Sequence, residues 1–133
     1  MSFVFIDYAD RNDLGKEKAL PIKRAGKFVQ IRHDDMEYLI FSPKELTPYH
    51  ANIVERFCRE NALNGSYVGE EKRFAIYEPR WAVAGGGKFE IDGQVGFIRL
   101  YDNSMAYGRF DAVGLREKLS TIEELKRYNV RIE

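Results

Sequence analysis

The stretch Lys27-Phe28-Val29-Gln30-Ile31-Arg32-His33-Asp34-Asp35-Met36-Glu37-Tyr38-Leu39-Ile40-Phe41 alternates, turns and runs back. Phe28, Gln30 and Arg32 fall on one side of an extended chain and Lys27, Val29 and Ile31 on the other, the two-residue period of a strand. Asp34-Asp35 reads as the turn, and residues 36–41 as the returning strand, so a hairpin is expected here. Toward the N-terminus, residues 2–8 form a strand with Phe3, Phe5 and Asp7 on one face and Val4, Ile6 and Tyr8 on the other. Residues 9–25 are polar and basic, contain Gly15 and Pro21, and read as a loop. Toward the C-terminus, Thr47 is an N-cap candidate with Pro48 at the first helical position, where its missing N–H costs nothing. Ile53, Val54, Phe57 and Cys58 follow at helical spacing, and residues 61–65 end that helix. Residues 72–84 read as two short strands or as one strand interrupted at Pro79. Gly85-Gly86-Gly87 and residues 88–91 precede Asp92-Gly93, a hairpin-turn signal, and residues 95–101 form a strand. Residues 102–110 read as a loop and 112–127 as a second helix with the stripe Leu115, Leu119, Ile122 and Leu125. Residues 129–132 form a closing strand. This order predicts an α+β fold: a mostly antiparallel or mixed sheet flanked by two helices.

The bulk numbers fit that reading. A chain of 133 residues, 44% hydrophobic with nine Phe, eight Tyr and one Trp, suits one domain over residues 1–133 with a single core and no staples. Cys58 is the sole cysteine, so no intrachain disulfide forms and a reducing compartment is expected. Met-Ser-Phe-Val-Phe-Ile-Asp at the start is too short and too soon acidic for a signal peptide, and no apolar run approaches the roughly 20 residues of a membrane helix. The default is therefore cytoplasmic. Lys plus Arg (21) balance Asp plus Glu (21), which gives no electrostatic case for nucleic acid or an acidic membrane. The charge is uneven, however. Lys16, Lys18, Lys23, Arg24, Lys27 and Arg32 crowd one stretch where Glu17 is the only acid. The plain reading is a solvated face; the sharper one is an attractor for a small anion or a phosphorylated partner.

Several chemistries lack their residues. The chain has no Walker A pattern, no Gly-x-Gly-x-x-Gly, no Gly-x-Ser-x-Gly, no Cys-x-x-Cys and no Cys-x5-Arg phosphate loop. His33, His50 and Cys58 sit at no metal-ligand spacing from one another, so no metal site is expected. His50 is placed differently from an ordinary helix histidine. In the first turn it lies at the positive end of the helix dipole, which disfavours imidazolium and keeps a lone pair for a base or nucleophile. It also aligns with Val54 and Phe57, toward the sheet. A half-buried structural histidine is the competing reading. The glycine triplet is a bulge or flexible turn, or else a place where backbone at Gly86 and Gly87 meets a ligand with Lys88 delivering charge beside it. Ser104-Met105-Ala106-Tyr107-Gly108 lies between a strand and a helix, where backbone N–H groups can form an anion-binding nest.

Taken in order, Lys27-x-Val29-x-Ile31-Arg32, Tyr49-His50-Ala51-x-Ile53, Gly85-Gly86-Gly87-Lys88 and Tyr101-x-x-Ser104-Met105-Ala106-Tyr107-Gly108 resemble the phosphohistidine phosphatase (Janus/Ocnus) family. The resemblance spans residues 26–108, and the final helix and strand more loosely. It implies a mixed sheet of about six strands between two helices and metal-independent, cofactor-free removal of phosphate from histidine. It makes His50 the catalytic residue. Lys27, Lys88, Gly86, Gly87, Ser104, Met105 and Ala106 become the phosphate site, the last three acting through backbone and hydroxyl. The implied partner is a phosphohistidine-containing protein, with phospholysine or a small phosphoramidate as the enzymatic alternative and a non-catalytic phosphate-binding module as the other. Neither nucleic acid nor membrane is expected as a partner; a monomer is expected, with a dimer as the alternative.

Three features depart from the family pattern. An arginine about eight residues before the histidine falls near Ser42. The stretch around residues 67–81 is longer than usual, and its aromatics could pack in the core, cover the site or form a dimer surface. The start of the chain is strand-like where the family is often irregular.

Overall fold

The computed structural model describes residues 2–9, 22–70 and 72–133. In it, strands β2 (Lys23–His33) and β3 (Met36–Pro43) form the expected hairpin. Asp34 at its tip has φ 52°, a left-handed conformation that short polar side chains tolerate better than most. β2 and β6 (Trp81–Asp92) are the central strands of a six-stranded sheet ordered β1 (Ser2–Asp7), β3, β2, β6, β7 (Phe97–Tyr101), β8 (Asn129–Ile132). The inner pairings are antiparallel, while β1 with β3 and β7 with β8 are parallel. With helices α1 (His50–Glu60) and α2 (Leu115–Ser120), this is an α+β fold built on a mixed, largely antiparallel sheet, as expected. A separate two-stranded ribbon pairs β4 (Gly65–Val68) with β5 (Arg73–Ile76).

Strand alternation sorts the apolar residues into two layers. On one face Val29, Ile31 and Ile40 pack with Ala51, Ile53, Val54, Phe57 and Cys58 of α1. On the other, Phe28, Leu39, Phe41, Phe89, Ile91, Ile98 and Leu100 pack with Leu115 and Leu119 of α2. Each fully buried Phe, Leu or Ile contributes about 1.5–3 kcal/mol, which is why six-residue α2 persists where isolated it would not. The same alternation places Ser42, Lys27, Lys88 and Tyr101 in one cross-strand row.

Local structure differs from expectation at the start of α1, in the second helix and at residues 23–25. Tyr49, not Thr47, precedes α1, and its N–H is taken by the Asn52 side chain (3.0 Å). Thr47 instead hydrogen-bonds Ser42 through its hydroxyl, which withdraws it from capping. The second helix spans Leu115–Ser120 rather than 112–127, because the Ser120 and Thr121 hydroxyls bond the Glu117 and Lys118 carbonyls and the chain continues in short turns. Leu125 is still buried and Ile122 still packs on the core. Residues 23–25, read as loop, belong to β2, where Arg24 pairs with buried Asp7 at 2.9 Å. The glycine triplet lies inside β6 beside a bulge, as one of its two readings had it, and not in a turn. Residues 72–84 are, as expected, two strands, β5 and the start of β6, parted near Pro79. Lys16 and Lys18 lie outside the described residues. Among the described residues, no helix is long and apolar enough to cross a membrane.

Candidate functional site

His50 opens α1 and is 7% exposed, wedged against β6. A Cβ added at Gly86 would lie 2.8 Å from the His50 Cδ2 and 2.8 Å from the Phe28 carbonyl, so only glycine lets the ring approach this strand. Gly85 has φ 155° and the Arg109 carbonyl 2.4 Å from where its Cβ would be. At this point β7 has ended, and the chain after it takes over the edge of β6, with Gly86 N–H donating to the Gly108 carbonyl (3.1 Å). A register shift between Gln30 and Ile31 marks a bulge here, a common device for re-aiming side chains beside sites.

The His50 Nε2 lies 2.9 Å from the Gly87 carbonyl. A carbonyl only accepts, so Nε2 carries the proton and Nδ1 keeps its lone pair. Burial holds the imidazole below its ordinary value of 6.5, and Lys27 and Lys88 push the same way; the Gly87 bond and Asp102 oppose them. The sequence reading attributed this shift to the helix dipole, whereas burial is its largest cause. The outcome is the same: a neutral imidazole at neutral pH.

Lys27 and Lys88 face each other across β2 and β6. Lys88 pairs with Asp102 at 3.1 Å, and this ammonium holds the Asp102 carboxyl below the usual range. Lys27 forms no ion pair with a described residue. Ser42, at the position where the resembled family carries arginine, is fully buried and bonded to Thr47, so it brings no charge.

Residues 104–108 form a closed loop. Ser104 and Gly108 exchange backbone hydrogen bonds at 3.1 and 2.7 Å, and the Tyr107 N–H donates to the Ser104 Oγ at 3.1 Å. Among the described residues, the N–H groups of Met105 and Ala106 find no acceptor, leaving two donors at the tip. The Met105 side chain is fully exposed, so any contribution to a site comes from its backbone.

The fold therefore links His50, Gly86, Gly87, Lys27 and Lys88 directly and joins the Ser104, Met105 and Ala106 loop to them through Gly86. Three participants were missed in the sequence. Asp102 follows Tyr101, which pairs with Lys88; the loop 93–96 sets that register, whereas a two-residue turn at Asp92-Gly93 would have put Phe97 opposite Lys88, so the sequence hid it. Gln30 holds the far end of the loop segment, accepting from the Asp111 N–H (2.8 Å) and donating to its carbonyl (3.1 Å); a polar residue on an apolar strand face was the available signal. Tyr107 bonds Phe74 of β5, for which the sequence offers no signal. A scan against protein-family models finds no match, and a search of curated proteins finds none either.

Proposed function

We propose that the protein is a protein phosphohistidine phosphatase that hydrolyses the N–P bond without a metal. The observation that carries this reading is His50: a buried, neutral imidazole with Nε2 committed to Gly87, coupled to two lysines and to a loop with two unengaged N–H groups. In the reaction water is split across the N–P bond, its oxygen ending on phosphorus and one of its protons on the departing histidine nitrogen, with nucleophile and leaving nitrogen in line. Nδ1 of His50 either accepts the water proton or attacks phosphorus itself, giving a phosphorylated His50 that water then hydrolyses. Lys27, Lys88 and the Met105 and Ala106 N–H groups take up charge on the phosphoryl oxygens. Among the described residues, no group of three or more His, Cys, Asp and Glu could hold a metal ion.

The substrate in this reading is a phosphohistidine-bearing protein, with phospholysine and small phosphoramidates as the neighbouring class. We place the protein in the cytoplasm as a monomer. Its single thiol, Cys58, is buried and pushed up to about 11, an unreactive group suited to a reducing compartment. A non-catalytic phosphate-binding module is the second reading, favoured by buried Ser42, which brings no charge where the resembled family carries arginine.

Hydrolysis of a phosphohistidine substrate by wild type and His50→Ala, side by side and with EDTA present, separates these readings. Wild type should turn over in EDTA, and His50→Ala should lose at least about a hundredfold, the usual reach of a general base. Phosphate binding without turnover in wild type would establish the module instead. Full activity in His50→Ala would remove His50 from the chemistry.

A further inference from the structure

The β4–β5 hairpin touches both walls of the site. On the α1 side, the Tyr67 hydroxyl accepts from Asn52 Nδ2 (3.1 Å) and donates to Glu55 (2.9 Å). On the loop side, the Tyr107 hydroxyl accepts from the Phe74 N–H and donates to the Phe74 carbonyl, both at 2.8 Å. One hydroxyl thus engages both backbone groups of a single residue in β5, which fixes the ring along the strand as well as across it. The ring is half-buried against the α1 layer, and the Arg73 guanidinium lies 5.6 Å from its centroid, within cation–π range. Burial pushes the phenol up to about 12, so it remains a donor at neutral pH. Through its own N–H on the Ser104 Oγ, Tyr107 braces the turn whose tip carries the two unengaged amides.

We propose that Tyr107 is a positioning residue for anion recognition: locked onto Phe74, it holds the Met105 and Ala106 N–H groups in the orientation a phosphoryl group requires. The hairpin then belongs to the binding apparatus as well as to the core. This rests on the phosphate-site reading above. Without the hydroxyl the ring keeps its volume and apolar contacts, but the loop is released to other orientations, and binding must then reorder it.

The test measures inorganic phosphate binding by calorimetry and hydrolysis of phosphoimidazole, on the full chain. Tyr107→Phe removes both hydroxyl hydrogen bonds to Phe74 and should weaken phosphate about tenfold, part of their worth appearing as loop order, and raise KM by a similar factor with kcat within about threefold. Ile98→Val, in the opposite core layer, supplies a matched loss of Tm and should leave phosphate affinity unchanged. Wild-type phosphate affinity in Tyr107→Phe overturns the proposal, as does an equal loss in Ile98→Val. If wild type binds phosphate without hydrolysing it, only the catalytic reading fails, and the ratio of dissociation constants still decides the role of Tyr107. If wild type binds no phosphate, both fail.

Discussion

At the scale of single residues, burial and the charges around His50 together lower its pKa. Burial depresses its pKa first, and Lys27 and Lys88 depress it further, so the base form persists below the ordinary 6.5. The acid limb of a kcat/KM profile should therefore lie below pH 6.5, and Lys27→Met should move it upward by removing one depressing charge. Asp102 acts in the opposite sense on His50 and also occupies Lys88. Asp102→Asn should shift the limb downward and tighten inorganic phosphate by roughly two- to fivefold, a modest gain because both partners are partly exposed. A profile unchanged in both variants would show that neither charge reaches the imidazole. The helix-start position, the inward face and the neutral form of His50 were all legible in the sequence. Of the charges around it, Asp102 was not, because it comes beside Lys88 only through the pairing of β7 with β6.

At the scale of elements, β6 gives up side chains where the site needs space. Its glycines let α1, the 104–108 loop and the β2 backbone converge on one short stretch. Gly86→Ala would set a methyl 2.8 Å from both the His50 ring and a carbonyl of the neighbouring strand. Because backbone is involved, the strain cannot relax through a rotamer alone. We expect a loss of about 1–3 kcal/mol in denaturant unfolding and a much larger loss of turnover, as the ring is expelled from Gly87. Equal activity in this variant would mean that the His50 to Gly87 bond is dispensable. The triplet was recognisable as a close-approach signal and as a bulge or a turn, but which of the two was not. Glycine runs read locally as turns, and only neighbours on both sides make them strand. The inserted aromatics show the same limit: Phe74 is buried in the α1 layer and Trp81 packs against it, whereas Tyr77 is exposed.

Across the whole molecule, Glu37 ties the α2 face together. It is fully buried and receives Arg32 (2.9 Å), Lys118 of α2 (3.1 Å) and Gln30 (3.2 Å), the residue that also grips Asp111 beyond the site loop. Burial raises the pKa of this carboxyl, but its three donors together outweigh burial and hold it below the usual 4.5. A carboxylate with a depressed folded pKa stabilises above its unfolded value and loses that contribution as pH falls through the folded one. Glu37→Gln should cost about 2–3 kcal/mol at pH 7, less than a wholly buried pair because Arg32 and Lys118 keep access to water. It should also flatten the acid side of the stability curve below pH about 4.5, measurable by urea unfolding across pH.

What the sequence determined by itself was whatever repeats over a few residues: strands with a two-residue period, the apolar stripe of α1, the hairpin turns and the α+β order they imply. These follow from backbone geometry and side-chain burial, which act locally. The tertiary structure decided which strands lie together, and with that the site. β2 pairs with β6 across four intervening elements, which sets Lys27 opposite Lys88 and brings Gly86 and Gly87 under His50. The Tyr107 to Phe74 and Gln30 to Asp111 bonds join positions far apart in the chain, and no local spacing encodes such partners. The second helix was overread for the same reason: its stripe was real, but hydroxyls at Ser120 and Thr121 offered the backbone carbonyls an alternative that periodicity does not weigh.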